Sequence, residues 1–431
     1  MTGSPSTSFD IPAGVRVSGR IRVPPSKSVT HRYLNLALLA RQPLTIERPL
    51  LAEDTRLFLA ALGHLGFQVE EGAEEVRLEL AGHSEGEIEV FCGNAGTMLR
   101  FLVASLAAVP GRFRLDGVPR LRERPVGPLV EALRRLGARI DYLGRPGFVP
   151  LAVEGGTLGG GATALDAGES SQYLSALLMA ALRAPAEVTV EVGALTSEPY
   201  VEVTLAAVAA FGGRIERLGE RGYRIFPSPL QADRVRVEGD ASAACYPAAA
   251  AALTGGTVTL EGLAPDSRQG DRRFLDLLVT MGAEVVWSGG ELTVRGNGGL
   301  RAIEADLGGM PDQVPTLAAL APFARGTTRI FNVAHLRIKE SDRLEAMATE
   351  LRKLGATVEE GSDSLTIPGL WADREPPAEP VTVEPRGDHR IAMSLALAGL
   401  RRPGVSIASP GVVAKSYPDF WRDFDDLCRN P

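Results

Sequence analysis

The sequence predicts an α/β protein assembled from six copies of one helix–turn–strand unit. Six segments share a small-residue helical stretch, a Gly/Pro turn and a short β-rich run: "LALLARQPLTIERPL", "SLAAVPGRFRLDGV", "LMAALRAPAEVTVEVGAL", "AAALTGGTVTLEGL", "LAPFARGTTRIFNV" and "LALAGLRRPGVSIASP". Aligned on Ile46, Leu115, Val190, Leu260, Ile330 and Ile407, they step by 69–77 residues through a chain of 431. A second signature recurs five times between them, in "ALGHLGFQV", "ALRRLGARI", "AVAAFGGRI", "LLVTMGAEV" and "ELRKLGATV". Each reads as the end of an amphipathic helix, a glycine C-cap and entry into a strand.

A sixth copy of that signature is expected after Ile407, where "YPDFWRDFDDL" supplies a helix and the sequence then ends. The N-terminal "VRVSGRIRV", which alternates apolar and polar residues, is the candidate for the missing strand. Three repeats then fall in each half. This predicts a discontinuous domain (1–23 with 240–431) and an inserted domain (24–239), with helices packed against sheets in both.

Composition narrows the function classes. A net charge of -7 and a pI near 5.5 argue against a nucleic-acid binder that relies on bulk positive potential, so any affinity for anions must be local. Cys92, Cys245 and Cys428 are widely spaced and odd in number, which disfavours a disulfide framework. His31, His64, His83, His335 and His389 form no metal-ligand spacing. No apolar run approaches the roughly 18–20 residues that span a bilayer. "MTGSPSTSFD" lacks the regions of a signal peptide, so a cytoplasmic protein is expected. Of 46 basic residues only four are lysines, Lys27, Lys339, Lys353 and Lys415, leaving 42 arginines. Where a lysine stands in such a chain, a compact cation able to give up its proton is indicated.

Function should show where repeats stop being equivalent. "PPSKSVTHR" sets Lys27 and Ser28 after a proline pair, with hydroxyls and amides beside a cation suited to phosphate or carboxylate. "CGNAGTMLR" follows a strand and opens a helix, where glycines and free amides favour an anion. In "RLRERPVGPL", Arg120, Arg122 and (further on) Arg134 read as a solvated face, whereas Arg124 stands at a helix entrance fixed by Pro125. "GESSQYLSALL" places Ser170, Ser171 and Gln172 at a helix start, more hydrogen-bonding groups than capping needs. "SEPYVEVTL" offers Ser197 and Tyr200. In "MPDQVPTLAAL", Asp312 is either an N-cap or a general base. "HLRIKESDRL", "RGDHRIAM" and "AKSYPDF" contribute His335, Lys339, Glu340, Arg343, Asp388, Arg390 and Lys415, while Lys353 reads as solvated on a repeat helix.

In this order, from about residue 15 to 425, these motifs resemble the 5-enolpyruvylshikimate-3-phosphate synthase family of enolpyruvyl transferases. "PPSKSVTHR" departs from its P-G-S-K-S-x-x-x-R element only at Pro25, and "GNAGTMLR", "RERP", "SSQYLSALL", "MPDQVPTLAALA", "KESDRL" and "DHRIAM" match closely. The resemblance implies a two-domain inside-out α/β barrel of three βαβαββ units per domain, closing over its substrates. It implies transfer of the enolpyruvyl group of phosphoenolpyruvate to shikimate 3-phosphate with release of phosphate, by a monomer that needs no metal or organic cofactor and engages neither nucleic acid nor membrane. Carried over motif by motif, Lys27, Asn94, Gly96, Arg124, Gln172, Arg343, Arg390 and Lys415 would hold phosphoenolpyruvate. Lys27, Ser28, Arg32, Ser170, Ser171, Gln172, Ser197, Tyr200, Asp312, His335 and Lys339 would hold shikimate 3-phosphate. Lys27, Asp312 and Glu340 would be catalytic. His335 stands where familiar members often have asparagine, and Phe101 where sensitive ones have proline. Glyphosate would occupy the donor pocket beside Gly96, where an added methyl is expected to crowd it more than the smaller substrate.

Two rivals make different demands. A UDP-N-acetylglucosamine enolpyruvyl transferase expects a cysteine ahead of its arginine–proline motif, and "DGVPRLRERP" has none. A non-catalytic six-repeat ring scaffold expects basic residues in every repeat, whereas these charges cluster in non-equivalent places.

Overall fold

The computed structural model describes residues 8–82 and 86–429; His83 and the first seven residues, with the leader reading made on them, lie outside the described residues. The chain divides into two compact units, Pro25–Glu238 and the pair Met1–Pro24 with Gly239–Pro431.

Within Pro25–Glu238 three four-stranded sheets surround three helices, Lys27–Ala40, Gly96–Ala108 and Ser171–Ala181. Most residues of these helices are buried, small ones such as Ala104, Ser105 and Ala176 included, because the helices pack against one another and against the other helices of the unit as well as the sheets. The strands alternate instead: Arg112–Asp116 buries Phe113 and Leu115 and exposes Arg112 and Arg114. Helices inside and one-face-solvated sheets outside are the reverse of the usual barrel, and period-2 patterning on the strands is what such sheets require.

Each aligned residue of the repeat occupies a second-position strand flanked by one parallel and one antiparallel neighbour. Leu115 lies between strand Glu87–Phe91 (parallel) and Leu151–Glu154 (antiparallel). Ile46, Val190, Leu260 and Ile330 are placed equivalently, and Ile46, Leu115, Val190, Leu260, Ile330 and Ile407 are all 0% exposed. Gly66, Gly137, Gly212, Gly282 and Gly355 end the second helix of their repeats at φ between 71° and 111°. That left-handed conformation is disfavoured for a residue with a Cβ, which is why this turn is written with glycine five times.

The unit Met1–Pro24 with Gly239–Pro431 repeats the plan around Ala241–Thr254, Val314–Leu320 and His389–Gly399. One expectation is corrected here. "VRVSGRIRV" forms strand Ser18–Arg22, but it pairs in parallel with Thr257–Glu261 of the fourth repeat, setting Ile21 against Leu260. Among the described residues the sixth repeat's sheet has three strands, and Ser8–Asp10 fills its antiparallel edge beside Val405–Ala408. The two strands that precede these helices are exchanged: Ser18–Arg22, ahead of helix Lys27–Ala40, is the parallel partner of Thr257–Glu261, and Arg234–Arg236, ahead of helix Ala241–Thr254, is the parallel partner of Leu44–Glu47. No helix among the described residues is long and apolar enough to cross a membrane.

Candidate active site

The non-repeated segments form one cluster in each unit. In Pro25–Glu238, Ser26 caps helix Lys27–Ala40 by accepting from the Val29 amide, so Lys27 and Ser28 open the helix. The Lys27 Nζ lies 3.5 Å from Oδ2 of the buried Asp54. One turn on, Arg32 is 2% exposed and donates to Thr204 Oγ1 (2.8 Å), the Ser28 carbonyl (2.8 Å) and the Tyr200 carbonyl (2.7 Å), with the Phe101 ring 5.4 Å away. Burial lowers its pKa to about 10, although the guanidinium remains charged near neutrality. Arg32 thus ties the Ser28 and Tyr200 backbones together.

Gly96 begins helix Gly96–Ala108, and Arg124, 3% exposed, donates to the Asn94 carbonyl at 3.2 Å. Ser170 is the N-cap of helix Ser171–Ala181, accepting from the Gln172 amide. The Gln172 side chain donates to Thr97 Oγ1 (2.9 Å) and accepts from Arg100 (2.5 Å), which also donates to the Pro125 carbonyl (3.0 Å). Thr97 and Arg100 therefore join the segments of Gly96, Arg124 and Gln172. Sequence reasoning missed both, although they lie within "GNAGTMLR" and Arg100 falls one helical turn beyond Gly96. Ser197 is buried at φ 53° just before helix Pro199–Ala210, which carries Tyr200. Arg120 and Arg122 sit in ion pairs with Glu123 and Asp116, and Arg134 donates to the Ile140 carbonyl, as residues outside the cluster.

In the other unit the charges are denser. Asp312 sits in the 3-10 turn Pro311–Gln313 and caps no helix. Its two oxygens accept from Arg343 Nη1 and Arg390 Nη2, each at 2.7 Å. Burial alone would push this carboxyl up, but Arg390, Arg343 and Lys339 together hold it well below the usual carboxylate range. Arg343 also bonds Glu340 (3.0 Å) and Asp388 (2.8 Å), and these three carboxylates outweigh its burial to raise its pKa. Asp388 is 0% exposed and caps helix His389–Gly399 through the Arg390 amide, so one carboxylate holds the guanidinium of Arg343 and the backbone of Arg390. Lys415 is buried at the end of the 3-10 turn Pro410–Lys415. His335 is buried and its pKa falls to about 3 through burial and the neighbouring Lys339, so its imidazole is neutral near pH 7. Lys353 lies outside this cluster and is exposed, as expected, with its Nζ 2.8 Å from the buried Glu350.

Two further buried residues here escaped sequence reasoning. Asp271 accepts from Ser242, and burial with the nearby Asp312 charge raises its pKa to about 6. Gln269 donates to the Gly239 carbonyl (2.7 Å) and accepts from the Ala241 amide (3.1 Å), fixing the entry to helix Ala241–Thr254. "RQGDRR" reads locally as an ordinary polar turn and gives no sign of this.

Both clusters therefore gather cations and hydroxyls suited to anionic, hydroxylated ligands. The family model for EPSP synthase (3-phosphoshikimate 1-carboxyvinyltransferase) matches residues 11–424. The chain belongs to the EPSP synthase family. It is 47% identical over 417 residues to the 3-phosphoshikimate 1-carboxyvinyltransferase of Syntrophobacter fumaroxidans, covering 95% of this chain and 97% of that protein. It is 42% identical to the enzyme of the same name from Citrobacter koseri, covering 96% of each. A solved structure of EPSP synthase from Acinetobacter baumannii superposes with a TM-score of 0.80 at 29% identity, over 98% of each chain. Membership of the EPSP synthase family accounts for motifs that repeat symmetry alone does not require.

Proposed function

We propose that this chain transfers the enolpyruvyl group of phosphoenolpyruvate to the 5-hydroxyl of shikimate 3-phosphate and releases inorganic phosphate. The observation that carries the reading is the end-to-end relationship to enzymes named for that reaction. Its chemistry suits the residues. Both substrates carry a phosphate and a carboxylate, so a protein of net charge -7 must bind them with local cations. Lys27, Arg124, Arg343, Arg390 and Lys415 are those cations for phosphoenolpyruvate, with Asn94, Gly96 and Gln172. Ser28, Arg32, Ser170, Ser171, Gln172, Ser197, Tyr200, Asp312, His335 and Lys339 serve shikimate 3-phosphate. Its partners are these small molecules, and the chain acts as a cytoplasmic monomer.

In the first half-reaction, the 5-hydroxyl oxygen bonds to C2 of phosphoenolpyruvate and gives its proton to Asp312. The C2–C3 double bond takes a proton at C3 from Glu340 or Lys27, leaving a methyl group. In the second, the C2–O bond to phosphate breaks and the departing phosphate takes the proton held on Asp312, while the methyl returns a proton to Glu340 or Lys27 and the double bond re-forms. A carboxylate clamped by two arginines is a weak base. When the anionic donor recruits Arg343 and Arg390, that clamp loosens and Asp312 gains basicity. This is a reason to build the base and the donor site from shared arginines.

The rival transferase is disfavoured by its cysteine requirement. Cys92, Cys245 and Cys428 are all buried, and burial pushes their thiols up, away from the thiolate form. A phosphate-release assay tests the reading: release with phosphoenolpyruvate and shikimate 3-phosphate together is expected. Release that requires UDP-N-acetylglucosamine instead would overturn it.

A further inference from the structure

Two of the groups that hold Arg390 differ in kind. Its Nη2 lies 2.7 Å from Asp312 Oδ2, and its Nη1 donates at 3.1 Å to the hydroxyl of Tyr246. Tyr246 is 1% exposed within helix Ala241–Thr254. Its ring meets Phe420 edge-on at 5.9 Å, and Phe420 packs in turn against Tyr417, Trp421 and Phe424. The hydroxyl is therefore carried by a ring wedged among other rings, a rigid mount for a long, flexible guanidinium.

The two partners affect Arg390 differently. Asp312 orients the guanidinium but cancels its charge. Tyr246 is a neutral acceptor, because burial pushes its phenol far above the ordinary range and keeps the proton on. A carboxylate at position 246 would grip more firmly yet neutralise the site. An apolar residue would remove this neutral contact.

We infer that Tyr246 is a positioning residue for phosphoenolpyruvate binding, holding Arg390 in place without neutralising it, so that the guanidinium stays oriented when the donor displaces it from Asp312. The inference rests on reading Arg390 as a donor-site cation, and it adds a residue that no motif of the sequence marks. Tyr246 acts through Arg390 and need not touch substrate.

Tyr246→Phe removes only the hydroxyl and keeps the ring among its aromatic neighbours. In the full-length protein the KM for phosphoenolpyruvate should rise roughly fivefold or more, as expected for losing a hydrogen bond to a charged group. The KM for shikimate 3-phosphate and the Tm should stay at their wild-type values. An unchanged KM for phosphoenolpyruvate, or equal rises for both substrates, would overturn the assignment, since a merely structural role moves both constants together. Turnover by the wild-type protein in the same assay tests the functional reading on its own, so the two failures are distinguishable.

Discussion

The guanidinium of Arg124 fills the space that a Cβ on Gly96 would occupy, its three terminal atoms lying 2.5–2.8 Å from that position. Folded proteins essentially never show a Cβ that close, so an alanine at 96 must displace the end of Arg124 and strain its bond to the Asn94 carbonyl. This changes the expectation drawn from sequence, in which the methyl simply crowded a longer inhibitor. Its first effect falls on a cation proposed to hold the donor. Gly96→Ala should therefore raise the KM for phosphoenolpyruvate several-fold. It should raise the inhibition constant of glyphosate further, by roughly five- to 150-fold for about 1–3 kcal/mol of added strain. Titrating glyphosate against both proteins at fixed phosphoenolpyruvate checks this, and equal inhibition constants would contradict it.

Lys27 opens its helix 3.5 Å from Asp54, in a chain that otherwise favours arginine almost without exception. If its role is proton transfer as well as charge, Lys27→Arg supplies the charge but withholds the proton. Its kcat should fall by about 10²-fold or more, the usual scale of acid–base contributions, with a smaller change in donor affinity. Turnover close to wild type would limit Lys27 to binding.

Asp271 yields a stability prediction with a definite sign. Its folded-state pKa, raised to about 6 from 3.8 by burial and the Asp312 charge, means that folding favours its protonated form. The stabilisation is complete below pH 3.8 and is lost as pH rises through about 6. Asp312, whose pKa is depressed, acts in the opposite sense and at lower pH, outside that window. Asp271→Asn should therefore raise Tm at pH 8, with the gain shrinking as pH falls towards 5. Calorimetry at the two pH values is the check, and a gain independent of pH would show that Asp271 is ionised in the folded protein throughout this range, contrary to a raised pKa.

The repeat was legible because every copy restates the same local physics: a buried strand residue such as Ile46 or Leu115, and a left-handed glycine such as Gly66 or Gly137. The pairing of "VRVSGRIRV" was not legible, since period-2 alternation says that a segment is a strand but not which sheet receives it. Likewise, the site residues in non-repeated motifs stood out, whereas Arg100, Asp271, Gln269 and Tyr246 did not. Each of these acts on another side chain or on a backbone turn through contacts that span tens of residues or more, as from Tyr246 to Arg390. Asp312 shows the remaining limit: "MPDQVP" left open a cap or a base, and only the two arginines at 2.7 Å exclude the cap.

Enolpyruvyl transfer through a methyl-bearing intermediate is the central claim, and running the reaction in D₂O tests it most directly. Protonation at C3 by an acid that exchanges with solvent places deuterium in the methyl group, and elimination leaves part of it in the vinyl methylene. Proton and phosphorus NMR of phosphoenolpyruvate and shikimate 3-phosphate with the wild-type protein should show inorganic phosphate, a new enol ether and deuterium in its methylene. Phosphate without the ether, or an ether whose methylene carries no deuterium, would contradict the account.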